Sequence, residues 1–419
     1  MLVFILPAAG KGSSGLTASH IRQVLPGSHV HTVSSPMASY MNDIIAKSAS
    51  SLFLTLTDGT ILEPDFLRDM KRACTELHPE EEGWVTFASS EQPMQPAPVL
   101  WHRNCLQGGL VNGFPDLAHL PFETFVLADM QIQAGSLGWK GRTVYSPNWR
   151  IDKARIPRWR KPEKEIEYIQ PIITRPQAIP RTATQPGISV VLCTYNDGRY
   201  VPWAIRSVLA QTLPAWELII VNDGSTDHTA MQLIPFQRDP RIRILENRAN
   251  LGKSRSLNLA LKEARGDWIL ELDADDWLAP DCLETMLQAA SVSDPRTALW
   301  HSHFHRWTER STGEVTYKKV IVTGEQFHRD LLMDRAVPPI PRFYRKQALL
   351  QLKGWCLDDP SLGRLYEDLE IVMRISVSYY VTCIPKALYH QRMRLTSISQ
   401  ADKSLYELWK SWMNTRIKE

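Results

Sequence analysis

The chain has 419 residues, enough for two or three domains, and its 43% apolar and 22% charged residues are the balance of a globular protein with sizeable cores. A formal net charge of +3 is too slight to argue for a nucleic-acid partner. Six scattered cysteines without a CxxC pair read as buried thiols in a reducing compartment rather than as a disulfide framework or a zinc site.

Leu2–Leu6 is apolar but short and has no basic flank before it, so it reads as a first strand rather than a signal peptide. No apolar run approaches the roughly 18 residues that span a bilayer. The expectation is a cytoplasmic protein with, at most, peripheral membrane association. A helical pattern follows at 38–47, then a buried strand at 52–56, the turn Thr57-Asp58-Gly59-Thr60, and a helix at 64–77 opened by Pro64. Residues 1–150 are read as the first domain. Between 151 and 187, Pro157, Pro162, Pro171, Pro176, Pro180 and Pro186 stand among mixed charges and predict an extended linker.

A second domain, 188–400, opens with an apolar strand at 188–192. A helix at 201–210 and a strand at 217–221 follow, the strand ending at Asn222-Asp223-Gly224-Ser225. A strand at 241–245, a helix at 253–264, a strand at 268–272 and a helix after Pro280 come next. Strand-then-helix at 342–352, a helix at 367–376, a returning strand at 379–384 and a closing helix within 401–419 complete the pattern. Strands alternating with helices through short loops imply an α/β fold, a mostly parallel sheet with helices on both faces.

The strand at 268–272 runs straight into Asp273, Asp275 and Asp276. Parallel sheets bind ligands at the carboxyl ends of their strands. Three carboxylates crowded there repel one another unless a cation or a basic side chain lies between them, and hard cations such as Mg²⁺ or Mn²⁺ take oxygen ligands. The plainer alternative is an acidic turn that caps the next helix.

Several blocks together carry a resemblance. Ile188-Ser189-Val190-Val191-Leu192-Cys193-Thr194-Tyr195-Asn196 and Ile219-Ile220-Val221-Asn222-Asp223-Gly224-Ser225-Thr226-Asp227 resemble the opening of family 2 glycosyltransferases, inverting enzymes of the GT-A fold. Asn250-Leu251-Gly252-Lys253-Ser254-Arg255-Ser256-Leu257-Asn258 is similar to the family's next block, and Asp273-Ala274-Asp275-Asp276 to its DxD motif. Gly354-Trp355 followed by Tyr366-Glu367-Asp368-Leu369 resembles the late Glu-Asp block, and the order holds from about 188 to 399.

The resemblance implies transfer of a sugar from a nucleotide-sugar donor, a UDP-sugar first of all, to a glycan, lipid-linked or protein acceptor in surface polysaccharide or glycoconjugate synthesis. Thr194 and Tyr195 would lie by the base, with Asp223 accepting from a base N–H; its alternative is a turn or capping role. Lys253 and Arg255 would meet the diphosphate or else lie on a solvated helix face, and Asn258 would brace the DxD loop. Asp273 would touch ribose or metal, Asp275 would ligate Mn²⁺ or Mg²⁺, and Asp368 would be the general base. Glu367 would point elsewhere, since adjacent helical residues diverge by about 100°. In the closing segment, Tyr389 to Ser399, the family often carries a metal- or phosphate-binding His where this chain has Arg394. Either Arg394 neutralises the diphosphate, or His390 reaches the metal.

The first domain reads as a faded copy of the second, giving two tandem GT-A copies with the first degenerate. The run beginning Leu52-Phe53-Leu54 aligns without a gap with the run beginning Trp268-Ile269-Leu270, Asn42 falls on Asn258, and Trp101 falls on Phe343. Thr57, Gly59 and Thr60 stand where the later copy has Asp273, Asp275 and Asp276, and Thr124 stands for Asp368. Two rival functions remain. Leu6-Pro7-Ala8-Ala9-Gly10-Lys11-Gly12 resembles the loop of sugar nucleotidyltransferases, which would make the chain bifunctional, though the usual Pro-Lys is missing at Leu25-Pro26-Gly27. The other rival is a non-catalytic carbohydrate-binding scaffold. Acceptor contacts are expected in 298–341, where His301, His303 and His305 alternate as on one strand face, suiting sugar stacking, a polar face or a metal.

Overall fold

The structure, a computed structural model, describes residues 1–6, 14–33, 37–89, 97–107, 126–136, 138–152, 162–174, 185–310, 315–324, 327–335, 338–394 and 403–418. The chain divides into two compact units, Met1–Thr174 and Arg175–Glu419.

The first unit runs β1 (Leu2–Leu6), α1 (Ser14–Val24), β2 (His29–Thr32), α2 (Met37–Lys47), β3 (Leu52–Thr57), β4 (Thr60–Leu62) and α3 (Phe66–Glu76). It continues with β5 (Glu82–Ala88), β6 (Val99–His102), α4 (Asn104–Gln107), α5 (Val126–Ser136), β7 (Lys140–Tyr145), β8 (Trp149–Ile151) and α6 (Pro162–Thr174). The sheet order is β2-β1-β3-β6-β5-β7, with β4 and β8 paired separately. The apolar runs explain the centre: every residue of β1 is buried, and so are Phe53 to Thr57 of β3. Helix α6 corrects the expectation of an extended linker over 151–187. Ile169, Ile172 and Ile173 recur at helical spacing and are buried, so packing overrides the proline content, Pro171 included.

The second unit opens with β9 (Ile188–Thr194), α7 (Val201–Leu209), β10 (Trp216–Asn222), α8 (Thr229–Leu233), β11 (Ile242–Glu246), α9 (Lys253–Glu263), β12 (Trp268–Glu271), β13 (Trp277–Leu278) and α10 (Cys282–Val292). Then come β14 (Thr297–Glu309), β15 (Val315–Ile321), α11 (Arg329–Arg335), β16 (Arg342–Arg345), α12 (Lys346–Gln351), α13 (Glu367–Ser378), β17 (Tyr380–Met393) and α14 (Lys403–Lys418). The sheet order is β11-β10-β9-β12-β16-β14-β17-β13, with β15 on β14. The first four strands are parallel, whereas β16 runs antiparallel between β12 and β14, so the sheet is parallel on one side and mixed on the other. Successive residues alternate between two cores: Val190, Leu192, Leu218 and Ile220 face one, and Val191, Ile219 and Val221 the other. Each such side chain contributes roughly 1.5–3 kcal/mol by burial. From β9 the chain proceeds outward to β10 and β11, then returns to place β12 on the opposite side. That reversal leaves a crevice beyond the carboxyl ends of these strands.

The strand orders of the two units correspond. In each, a central strand lies parallel to two neighbours, one neighbour is followed by an antiparallel strand, and then by a further antiparallel and a parallel one. The ladders shift one alignment by a residue. Phe53 pairs with Trp101 and Ile269 with Tyr344, so Trp101 corresponds to Tyr344 rather than to Phe343. Thr124 and the glycine-containing loop at 7–12 lie outside the described residues. All six cysteines are free thiols; Cys105 and Cys282 are buried, and the other four are partly exposed, contrary to the expected burial. Among the described residues no helix is long and apolar enough to cross a membrane.

Candidate active site

The site is built on a buried ion pair. Antiparallel pairing of β12 with β16 sets Glu271 opposite Arg342, and both are only 2% exposed. Arg342 donates from Nε to Glu271 Oε2 and from Nη2 to Oε1, each at 2.9 Å, and the Tyr344 hydroxyl adds a donor at 3.3 Å. This planar, bidentate geometry is what offsets the desolvation of two charges.

Lys253, at the start of α9, extends the pair into a cage. Its ammonium lies 2.6 Å from Asp273, 3.2 Å from Glu367 and 3.4 Å from Glu271. Arg342 also approaches Asp273 at 3.5 Å and Asp368 at 3.9 Å. Four carboxylates thus share two cations. Burial opposes ionisation of Asp273, yet Lys253 and Arg342 hold it well below the usual carboxylate range. Burial pushes Glu367 up to about 7 against the pull of Lys253, and it also raises Asp368 against Arg342. Glu367 therefore does not point away, as helical geometry suggested. It and Asp368 diverge toward different cations of one cluster, and the Asp368 side chain is the more open, 25% exposed against 9%.

The start of α13 is held unusually. Tyr366, just before it, has φ 61°, a left-handed conformation that costs an aromatic residue about 1–2 kcal/mol. Its ring packs 5.4 Å from Tyr406 and 5.5 Å from Trp409 of α14, and that packing fixes where Glu367 and Asp368 emerge.

A second charged pole flanks the first. Asp275 contacts Arg394 Nε at 2.6 Å, and Arg394 Nη1 donates to Asp197 at 2.9 Å. Burial raises Asp275 to about 6 despite Arg394. Asp276 turns inward and accepts from the Arg392 backbone N–H at 2.7 Å, tying the loop to β17.

The expected donor-side residues divide. Tyr195 is 43% exposed beyond β9, and Thr194 is buried with its hydroxyl unpartnered. Asp223 is used internally: it accepts from Asn247 at 2.7 Å and from the Leu251 and Gly252 amides at 3.0 and 2.9 Å. These bonds tie the end of β10 to the 247–252 loop. Gly224 beside it has φ 70°, and a Cβ there would lie 2.4 Å from the Ala249 backbone, so only glycine lets these loops meet. Arg255 is exposed and donates to the Leu251 and Leu362 carbonyls, away from the carboxylates. Asn258 exchanges two hydrogen bonds with the Trp355 backbone instead of bracing the DxD loop.

His390 is removed from the ligand set. It is 1% exposed, stacked 5.2 Å from Trp277 and 4.5 Å from His305, and its Nδ1 accepts from Trp307 at 3.0 Å. Of the two alternatives, Arg394 is the one at Asp275. Of the three histidines of β14, His301 and His305 are buried, and His303 hydrogen-bonds with Thr323.

The comparisons add a family. The model for "Glycosyl transferase family 2" matches residues 189–349. The second unit carries a family 2 glycosyltransferase domain. The chain is 37% identical over 115 residues to an uncharacterized glycosyltransferase of Haemophilus influenzae, covering 27% of this chain and 36% of that one. It is 34% identical over 233 residues to EpsH of Bacillus subtilis, provisionally named a glycosyltransferase, covering 53% of this chain and 65% of that one. Among solved structures, S. aureus TarS 1-349 in complex with UDP-GlcNAc shares 21% identity at a TM-score of 0.42, over 53% of this chain and 64% of that one. The chain thus spans from about a third to just under two thirds of the length of these relatives.

Within the glycosyltransferase domain, Glu271, Arg342, Asp197 and Arg392 were not singled out from sequence. A signal existed for the first two. Glu271 is a lone charge in an otherwise apolar strand, Arg342 opens a strand whose next two residues are aromatic, and a buried charge demands a partner.

Proposed function

We propose that the chain is a metal-dependent, inverting glycosyltransferase of the GT-A fold that moves a sugar from a UDP-sugar to a hydroxyl acceptor in surface polysaccharide or glycoconjugate synthesis. The observation that carries this reading is the pair of poles at the strand ends. Asp275 belongs to the pole of Arg394, while Asp273 and Asp368 are the two most open carboxylates of the cage around Lys253 and Arg342. Mg²⁺ and Mn²⁺ are commonly held by one or two carboxylates together with substrate phosphates, and Asp273 and Asp275 supply that donor set. Among the described residues no cluster of three or more side-chain ligands exists, so the donor's phosphates would complete the shell. Bound there, the cation supplies Lewis-acid stabilisation of the departing nucleoside diphosphate.

The chain's own residues do the rest. Tyr195 offers an exposed ring for the base, while Asp223 holds the 247–252 loop in place. Lys253 and Arg342 keep Asp273 ionised. Asp368 takes the acceptor hydroxyl proton as the new C–O bond forms and the sugar–phosphate bond breaks on the opposite face, which inverts the anomeric centre. Asp275→Asn is expected to abolish donor hydrolysis and weaken metal-dependent nucleotide binding while the protein stays folded. Full activity in excess chelator would overturn the metal dependence.

The first unit reads as a degenerate, non-catalytic copy. Where β12 and β16 oppose Glu271 with Arg342, β3 and β6 oppose Thr55 with Val99. Its local carboxylate, Asp58, is occupied by the Thr17 hydroxyl and the Gly59 amide. Asp58→Ala should leave turnover within a few-fold of the parent. A loss comparable with that of Asp275→Asn would make this unit a second active site.

A further inference from the structure

We propose that Arg394 is a built-in counter-ion that occupies the cation side of Asp275, so that a divalent ion enters only together with a nucleoside diphosphate, which takes the guanidinium over. The inference rests on reading Asp275 as a metal ligand. Arg394 is seated by three partners: Asp275 at 2.6 Å, Asp197 at 2.9 Å, and the Tyr200 ring, with the guanidinium carbon 4.7 Å from its centre. Arg392, two residues earlier on β17, stacks on the same ring at 4.9 Å. It is 5% exposed, and its Nε and Nη2 have no hydrogen-bond partner.

Two guanidinium groups therefore face the loop that carries Asp275. A bare divalent ion reaching that carboxylate would meet Arg394 within about 4–5 Å, where like charges repel strongly in a partly buried site. A metal diphosphate brings its own negative charge and planar oxygens. Arginine pairs with such oxygens bidentately, so the guanidinium gains a partner as it leaves Asp275. The position differs from a metal-binding histidine in sign: a neutral imidazole recruits the ion, and a guanidinium excludes it until the diphosphate arrives.

The test is Mn²⁺ binding to the full chain, followed by the paramagnetic signal of free Mn²⁺, with and without UDP. The parent should bind Mn²⁺ weakly alone and more tightly with UDP. Arg394→Gln should bind Mn²⁺ alone about tenfold tighter and lose most of the UDP enhancement. Arg394→Met is the alternative neutral variant, and Arg394→Lys should return Mn²⁺ binding to the parent value. Unchanged or weaker Mn²⁺ binding in the neutral variants, or tight binding in Arg394→Lys, would overturn the counter-ion. A parent chain that binds no Mn²⁺ even with UDP would instead overturn the metal reading of Asp275 itself.

Discussion

Asp368→Asn should lower sugar transfer by about 10²–10⁴-fold, the usual worth of a positioned general base. The amide keeps the size of the carboxyl and can still accept from the Leu369 N–H, the bond Asp368 makes at 2.8 Å. Folding and donor affinity should therefore change little, because Arg342 is held chiefly by Glu271 and only distantly, at 3.9 Å, by Asp368. Glu367 is the control. Its carboxyl sits near neutrality but is turned onto Lys253 and is nearly covered, so Glu367→Gln should cost less in rate and more in stability. Steady-state transfer kinetics beside nucleotide titration separate the two. If Asp368→Asn transfers at the parent rate while Glu367→Gln is inactive, the base is Glu367.

Replacing Arg342 should have the largest effect on stability. Arg342→Val strands Glu271 in the core without its bidentate partner, and breaking such a buried pair typically costs about 3–5 kcal/mol. The first unit suggests the compensation, since Thr55 and Val99 fill the same ladder positions there without charge. The double variant Glu271→Thr/Arg342→Val should recover much of the loss, because removing both charges removes the desolvation that the pair offset. Urea denaturation of both variants checks this. A double variant no more stable than Arg342→Val would mean that Arg342 acts mainly on Asp273 and Asp368 rather than on Glu271.

The periodic parts of this fold were legible beforehand. Leu2–Leu6, the strand from Leu52 and the helix at Glu367 stand where apolar spacing and helix-start residues put them. Helix α6 was hidden because proline content outweighed three isoleucines at helical spacing. Of the long strand β14 only the alternation of His301, His303 and His305 was legible, because residues 297–302 are all buried and leave no in–out pattern to read.

At the site, Asp273, Asp275 and Asp368 could be named because their types and spacing are local, whereas Glu271 and Asp197 were missed. Arg342 was missed as well, since it reaches Glu271 across 71 positions of sequence through an antiparallel pairing that no local pattern announces. Lys253 was expected at the diphosphate or on a solvated helix face, and its pairing with Glu271, Asp273 and Glu367 is a contact between distant segments that its own helix does not reveal. His390 was plausible by residue type alone, and its burial among Trp277, His305 and Trp307 is a tertiary fact.

The most direct test of the central claim is release of nucleoside diphosphate from a panel of nucleotide sugars, with Mn²⁺ and with excess chelator, for the parent chain and Asp275→Asn. The expected result is release from a UDP-sugar with Mn²⁺, suppressed by chelator and absent in Asp275→Asn. Equal release with chelator, or from Asp275→Asn, or no release from any donor with or without acceptor, would contradict it.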